Sequence, residues 1–146
     1  MKYIWFKKNE NSHAWEKAKE LRIQVFCVEQ EVDTSLEIDE TDETAWHLLV
    51  EENDEVIGVG RIFVRKQKLY GLGRLAINIK HRGKGLSAPI IKEMIEKVKE
   101  LNGEEILIHA QAYIQKMYEK NGFKVTTGEV FDEDGIDHIE MIYKIV

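Results

Sequence analysis

Two glycines stand between a predicted strand and a predicted helix in the segment Arg82-Gly83-Lys84-Gly85-Leu86-Ser87. Glycine lets a backbone turn sharply and approach a ligand closely. The first amides of the helix that follows have no partner inside the helix and carry the positive end of its dipole. A diphosphate is the anion that best fills several converging amides, so the spacing predicts a diphosphate site.

Two known phosphate-binding patterns do not fit this segment. A nucleotide P-loop ends in Gly-Lys-Ser/Thr, whereas Lys84 is followed by Gly85. The dinucleotide fingerprint needs three glycines and an acidic residue after the next strand, and that pattern is absent as well. One alternative remains open, in which the two glycines bind no ligand and only form a tight surface turn flanked by solvated basic residues.

The remaining residues that could do chemistry are scattered. The five histidines show no metal-ligand spacing such as His-x-x-x-His, so no metal is expected. Cys27 is the only cysteine, which excludes an intrachain disulfide and a multi-cysteine zinc site and suits a reducing compartment, the cytoplasm. Cys27 also lies in an apolar helical pattern, where we expect it to pack.

Hydrophobic periodicity predicts the elements that position the glycine turn. Spacings of three and four predict helices over 14–26, from just before Pro89 to Asn102-Gly103, and around Met117 and Tyr118. Runs of β-branched and aromatic residues predict strands over 46–50, 56–64, 69–79, 106–108, 123–130 and 136–145. The acidic segment 29–43 is expected to be a loop with room for a helical turn. This order predicts an α/β (α+β) fold, with a mixed, mostly antiparallel central sheet flanked by helices on both faces.

Length and charge restrict the possible partners. The 146 residues, 43% of them hydrophobic, predict a single domain over 1–146. The formal charge of -6 disfavours nucleic acid, so an anionic ligand must be bound locally. Residues 1–8 alternate briefly and then turn charged, so neither a signal peptide nor a membrane partner is predicted. Exposed strand edges would permit a homodimer.

Two motifs carry a resemblance that spans most of the chain. Residues 82–87 resemble the Arg/Gln-x-x-Gly-x-Gly/Ala motif with which the GNAT superfamily of acyl-CoA N-acyltransferases holds the coenzyme A pyrophosphate; Arg82 and Gly85 match, and Ser87 replaces Gly/Ala. Residues 118–123, Tyr-Glu-Lys-Asn-Gly-Phe, resemble the family's later Tyr-x-x-x-Gly-Phe segment. Within the superfamily the chain is most similar to the ElaA-like subgroup, through 21–30, 110–112 and 135–141.

The resemblance implies a GNAT-like fold, acetyl-CoA as cosubstrate and a set of site residues. The pyrophosphate would lie on the amides of Arg82, Gly83, Lys84, Gly85, Leu86 and Ser87. The pantetheine would pair with the main chain near Leu75, Ala76 and Ile77, where one amide would also face the thioester oxygen. Gln111 lies where many relatives have an asparagine that contacts the coenzyme, and Tyr118 lies where many carry a catalytic tyrosine.

The chemistry of Tyr118 suits that role. An unperturbed phenol has a pKa of about 10 and a cysteine-like thiol one of about 8.5, so a tyrosine can protonate a departing thiolate without a large shift. The alternative is a core aromatic residue whose hydroxyl finds a partner at the surface.

The general base is left open among several residues. A protonated amine must lose a proton before it attacks, and the candidates are Glu29, His47, His109 and Glu140. The acidic residues of 29–43 either attract a cationic acceptor or form a solvated face.

Three classes of function follow. The first is an acetyl-CoA-dependent N-acetyltransferase that acts by direct attack of a primary amine of a small molecule or peptide. The second is an acyl-CoA-binding sensor without catalysis. The third is a structural or partner-binding domain, which would not bind the coenzyme at all.

Overall fold

The computed structural model describes residues 1–146. Its strands are β1 (Lys2–Lys7), β2 (Trp46–Glu52), β3 (Glu55–Lys66), β4 (Leu69–Ile77), β5 (Glu105–Gln111), β6 (Lys124–Glu133) and β7 (Ile136–Lys144). Its α-helices are α1 (Ser12–Arg22), α2 (Thr34–Glu37), α3 (Ser87–Glu100) and α4 (Gln115–Lys120). A π-helical segment, Ile23–Glu29, continues α1, and short 3-10 turns occupy Glu40–Glu43, Ile79–His81 and Ala112–Ile114. None of these helices is long and apolar enough to cross a bilayer.

The strands form one seven-stranded sheet in the order β1-β2-β3-β4-β5-β7-β6. All neighbours are antiparallel except β4 and β5, which pair in parallel. The predicted mixed, mostly antiparallel sheet is therefore confirmed. All six predicted strands are present, and several extend a few residues beyond their predicted ends.

Strand β1 was not predicted, and its burial explains why. Tyr3 and Trp5 pack against the core on one face of the sheet, while Ile4 and Phe6 pack against the core on the other. Apolar residues thus occupy both sides of this short strand, and the brief alternation in residues 1–8 ends too soon to identify a half-buried strand.

Two hydrophobic cores lie on opposite faces of the sheet. One contains the apolar face of α3 (Ile90, Ile91, Met94, Ile95 and Val98) together with Leu48 and Ile62 from the sheet. The other contains the apolar face of α1 (Ala14, Trp15, Ala18 and Leu21) together with Leu49 and Val59. Helices thus cover both faces, as the periodicity predicts.

The ends of the helices follow the expected capping chemistry with one difference. The side chain of Asn11 accepts a hydrogen bond from the amide of Ala14 at 3.0 Å and caps α1. At the predicted end of α3, Asn102-Gly103, the left-handed residue is Asn102, with a φ of 64°, and not the glycine. Gly103 is needed for space, because a Cβ there would lie 2.4 Å from Val98 and 2.7 Å from Tyr70.

Candidate active site

A cleft opens where β4 and β5 separate. These parallel strands pair only at Leu69 with Glu105 and at Tyr70 with Ile106. Beyond Tyr70 the edge of β4 that faces β5 has no strand partner, and a cleft of about 580 Å³ lies along it. Main-chain groups on such an edge can pair with an extended ligand.

A β-bulge in β4 shapes this edge. Val59 pairs with Ala76 and Arg61 with Gly73, so Gly60 faces two residues of β4. One of them, Arg74, is in the left-handed region with a φ of 50°. Bulges re-aim the main chain and side chains next to active sites. The predicted pantetheine-binding residues Leu75, Ala76 and Ile77 lie directly after this bulge and line the cleft.

The glycine turn closes one end of the cleft. Gly83 and Gly85 have φ values of 78° and 70°, and a Cβ at either position would meet no atom within 4 Å. Only the backbone conformation therefore selects glycine there. None of the main-chain N–H groups from Gly83 to Ala88 donates a hydrogen bond within the protein, and no side chain caps the start of α3. These unpaired donors at a helix N-terminus have the chemistry of an anion site.

The two basic side chains of the turn are engaged elsewhere. Arg82 donates two hydrogen bonds of 2.8 Å to the carboxylate of Glu29, and its Nε donates to the carbonyl of Ile77 at 3.1 Å. The ammonium of Lys84 lies 3.2 Å from Nδ1 of His81. Lys84 is also the one predicted cofactor-binding residue that does not line the cleft. Arg82 is thus paired with a carboxylate, whereas the ammonium of Lys84 has no carboxylate partner but lies outside the cleft, so the groups of the turn that face the cleft unpaired are mainly its amides.

Tyr118 lines the cleft from α4. Its side chain is only 4% exposed, and its hydroxyl makes no hydrogen bond within the protein. Burial raises the pKa of Tyr118 above its ordinary value of 10. Phe123 packs edge-on against its ring at a centroid distance of 5.4 Å. Tyr118 is therefore a fixed, protonated hydroxyl that faces the cleft without an internal partner.

Gln111 connects the end of β5 to the end of the π-helical segment. Its side-chain nitrogen donates to the side-chain oxygen of Gln30 at 2.8 Å. Both residues line the cleft, as does Tyr113, whose hydroxyl lies 3.4 Å from Gln30. The resemblance implies that Gln111 contacts the coenzyme, which stays a prediction; in this structure its amide group is hydrogen-bonded to Gln30.

The candidate bases divide into two groups. Glu29 and His109 line the cleft, whereas His47 and Glu140 do not. His47 is buried between the rings of Phe6 and Trp15, and that burial lowers its pKa, so it is a structural residue. Glu29 is occupied by Arg82.

Neither interpretation of the acidic segment 29–43 describes all of it. Glu37 and Asp42 are buried and bind Arg22 at 2.7 Å, and Asp39 binds Arg61 at 2.7 Å. These carboxylates are neither a solvated face nor free to attract a cationic acceptor. They hold the loop onto the sheet, because a buried charge requires a paired partner.

Among the cleft residues that sequence reasoning missed are Glu133 and His138. They come from the hairpin between β6 and β7, which the sequence predicts, including its turn. The pairing of β7 with β5 was the missing information, since it places His138 opposite Gln111. No local signal in the sequence specifies that register. The structure brings together no group of three or more His, Cys, Asp or Glu side chains that could hold a metal ion.

Comparisons with known proteins identify the family and the fold of this chain. The family described as acetyltransferase (GNAT) domain matches residues 13–145. Protein ElaA of Escherichia coli (strain K12) is 31% identical over 132 residues, which is 87% of this chain and 85% of ElaA. The crystal structure of E. coli ElaA superimposes with a TM-score of 0.88 at 28% identity, covering 99% of this chain and 100% of that one. A GNAT family acetyltransferase from Elizabethkingia anophelis with acetyl-CoA bound has the same fold, with a TM-score of 0.68 at 20% identity, over 86% of this chain and 89% of that one.

Proposed function

The chain belongs to the GNAT acetyltransferase family, with ElaA among its relatives, and on this premise we propose that it is an acetyl-CoA-dependent N-acetyltransferase acting on a primary amine. The observation that supports the proposal most is the row of unpaired amides from Gly83 to Ala88 at the end of the cleft. Amides that the protein leaves unpaired are available to an anionic ligand, and the coenzyme's pyrophosphate is such a ligand.

We expect the cosubstrate to occupy both halves of the cleft. The amides of the turn would hold the pyrophosphate, and the open edge of β4 from Leu75 to Ile77 would pair with the pantetheine, which supplies the activated acetyl thioester. A main-chain N–H on this edge, fixed by the bulge at Arg74, would stabilise negative charge on the thioester oxygen. Such a donor typically lowers the activation barrier by about 3 kcal/mol.

Tyr118 would act as the general acid. The amine attacks the thioester carbon, a C–N bond forms, and the C–S bond breaks as Tyr118 gives its proton to the departing sulfur. The attacking nitrogen then loses a second proton, which restores the phenol. Burial raises the pKa of Tyr118 well above that of a free phenol, contrary to the expectation of no large shift, so the residue stays protonated across the physiological range but is a weaker acid. Proton donation then requires that desolvation in the cleft raise the pKa of the departing thiol as well.

Direct attack is favoured over a covalent enzyme intermediate. Cys27, the only thiol, lies in the π-helical segment and does not line the cleft. A nucleophile must reach the acyl carbon, so a thiol outside the cleft is poorly placed for that role.

Two measurements test the proposal. Calorimetry with acetyl-CoA tests binding, and a screen of primary amines monitored by free-thiol release tests transfer. Tyr118→Phe should lower kcat by about a hundredfold while the Kd for acetyl-CoA changes little. Tyr113→Phe, at an exposed tyrosine of the same cleft, is the matched control. Coenzyme binding with no transfer to any amine would instead indicate a sensor module, and unchanged turnover in Tyr118→Phe would remove Tyr118 from the mechanism.

A further inference from the structure

A second group of titratable residues lies in the cleft, at the C-terminal hairpin. Glu133, Asp134 and His138 line the cleft from this hairpin, and His109 lines it from β5. The register of the sheet explains their proximity. His109 pairs with Glu140, Gln111 with His138, and His138 also pairs with Phe131, so their side chains share one face.

The hydrogen bonds of His138 define where its proton lies. Nδ1 is 2.7 Å from the carbonyl oxygen of Ile136. A carbonyl only accepts, so Nδ1 carries the hydrogen and Nε2 of the neutral ring has a free lone pair. The ring is held in this orientation, because His138 is 7% exposed and stacks on Phe131 at 6.1 Å with an interplanar angle of 29°. His138 therefore presents a fixed acceptor nitrogen.

That nitrogen faces a carboxylate. Nε2 of His138 lies 3.6 Å from Oε2 of Glu133, and the other oxygen of Glu133 lies 3.2 Å from Nδ1 of His109. His109 can donate to Glu133, and the His138 ring, when it is neutral, has no proton on the side facing Glu133. In that state two acceptors stand opposite each other without a donor between them. A donor such as an ammonium N–H would satisfy both.

The charges of the cleft lining favour a cation at the hairpin. Of the acidic residues that line the cleft, Glu29 pairs with Arg82, and Glu37 pairs with Arg22 and Arg74. Glu133 and Asp134 have no lysine or arginine within 4 Å, and Glu133 contacts only imidazoles. Arg65 is the basic side chain whose charge acts on Glu133, but it does not line the cleft, and its Nε donates to the carbonyl of Leu107 at 2.8 Å. Within the cleft lining, the acidic side chains without an arginine or lysine partner are thus those of the hairpin, whereas the unpaired amides are those of the glycine turn. A cationic group is attracted to the acidic side chains of the hairpin, and an anionic group is attracted to the amides of the glycine turn.

We infer that Glu133 and His138 form the subsite for the acceptor's protonated primary amine, with His138 as the general base. This inference rests on the proposed N-acetyltransferase function. Glu133 binds the ammonium, and Nε2 of His138 takes one of its protons, which leaves a neutral amine with a free electron pair for attack. The resulting imidazolium donates to Glu133, whose side chain is 42% exposed and passes the proton to solvent. His109 and Phe131 are positioning residues, since they hold Glu133 and the His138 ring.

The test compares two probe amines under saturating acetyl-CoA. At neutral pH, n-butylamine is a cation that must lose a proton, whereas hydroxylamine is already a neutral nucleophile. His138→Asn can keep a donor near the carbonyl of Ile136 but has no basic nitrogen. Its kcat with n-butylamine should fall by about a hundredfold, whereas its kcat with hydroxylamine should stay within about threefold. Glu133→Gln should raise the KM for n-butylamine by about tenfold and leave hydroxylamine unaffected.

Matched controls separate this role from a structural one. His13→Asn and Glu129→Gln make the same chemical changes at exposed positions outside the cleft and should leave both amines unaffected. An equal loss with both amines in His138→Asn, or no loss with n-butylamine, would overturn the assignment. Transfer to hydroxylamine by wild type would support the N-acetyltransferase function in either case.

An NMR binding measurement, which does not depend on turnover, completes the test. In the presence of coenzyme A, n-butylamine should shift the imidazole NMR signals of His138 in wild type and not in Glu133→Gln, whereas n-butanol should shift neither. No shift in wild type would overturn the subsite. A third outcome is that wild type binds acetyl-CoA and shows the shift but releases no thiol with either amine. That result would contradict the proposed enzymatic function, whereas the amine subsite would stand.

Discussion

The guanidinium of Arg82 holds the carboxylate of Glu29 in a bidentate ion pair, Nη1 to Oε2 and Nη2 to Oε1, both at 2.8 Å. This contact ties the end of the π-helical segment to the glycine turn. Both side chains are partly exposed, 39% and 28%, so the pair contributes less than about 1 kcal/mol to stability. Its main effect is to place a carboxylate beside the amides of the turn.

Glu29→Gln should therefore strengthen coenzyme binding. The substitution removes a negative charge near the phosphate site and releases the charge of Arg82. We expect the Kd for acetyl-CoA to fall about threefold at low ionic strength, with a smaller effect at high salt because exposed charges are screened. Calorimetric titrations at two salt concentrations measure this. Glu96→Gln, a carboxylate of α3 outside the cleft, should leave the Kd unchanged, and weaker binding by Glu29→Gln would contradict the prediction.

The buried carboxylate of Asp42 should make the fold sensitive to acid. Burial would raise the pKa of Asp42, but the hydrogen bond and charge of Arg22 and the charge of Arg61 outweigh it and lower this pKa to about 2. The stabilisation is thus fully present above about pH 4 and is lost as the pH falls towards 2; it amounts to about 2 kcal/mol. Urea unfolding at a series of pH values measures the loss.

Asp42→Asn should destabilise the protein by about 3 kcal/mol at neutral pH, because two buried arginines lose their shared carboxylate. The acid-dependent loss of stability should also be smaller in this variant. Glu43→Gln changes the adjacent, exposed carboxylate and should stay within about 0.5 kcal/mol of wild type. Equal stability of the two variants would show that the buried network contributes nothing.

Tyr118 should affect stability at alkaline pH. Burial raises the pKa of Tyr118, so the folded state keeps a proton that the unfolded chain loses above about pH 10. This contribution is complete below that pH and declines as the pH rises further. As the pH rises from 9 to 11, the free energy of unfolding should therefore fall by less in Tyr118→Phe than in wild type, by on the order of 1 kcal/mol. Thermal unfolding across this range measures it, with the exposed Tyr113→Phe expected to follow wild type.

Cys27→Ala should retain activity, because the thiol lies outside the cleft. We expect kcat within about twofold of wild type and a sequential pattern in two-substrate kinetics. A folded Cys27→Ala protein without activity, or ping-pong kinetics in wild type, would contradict direct transfer.

Sequence patterns predicted the fold and the glycine turn at one end of the cleft for local reasons. The glycine turn, Pro89 and the apolar face of α3 are specified within a short segment, so their placement could be read from spacing. The ion pair of Arg82 could not be predicted from spacing, because its partner Glu29 is far away in the chain. The acidic loop was misread for the same reason: composition alone does not show that arginines from α1, β3 and β4 meet it. His138 and Glu133 required the register of β7 on β5, which depends on contacts distant in sequence.

The central claim is that free amides of the glycine turn hold the coenzyme. The most direct measurement is a calorimetric titration of acetyl-CoA into wild type, Gly85→Ala and Gly128→Ala. Both glycines have positive φ values, 70° and 81°, and neither leaves a Cβ crowded, but only Gly85 lines the cleft. Both variants should lose about 1 kcal/mol of stability from backbone strain. We predict that wild type and Gly128→Ala bind acetyl-CoA equally, while Gly85→Ala binds at least about tenfold more weakly through loss of charge-assisted hydrogen bonds. Equal affinities in all three proteins, or no binding to wild type, would contradict the account.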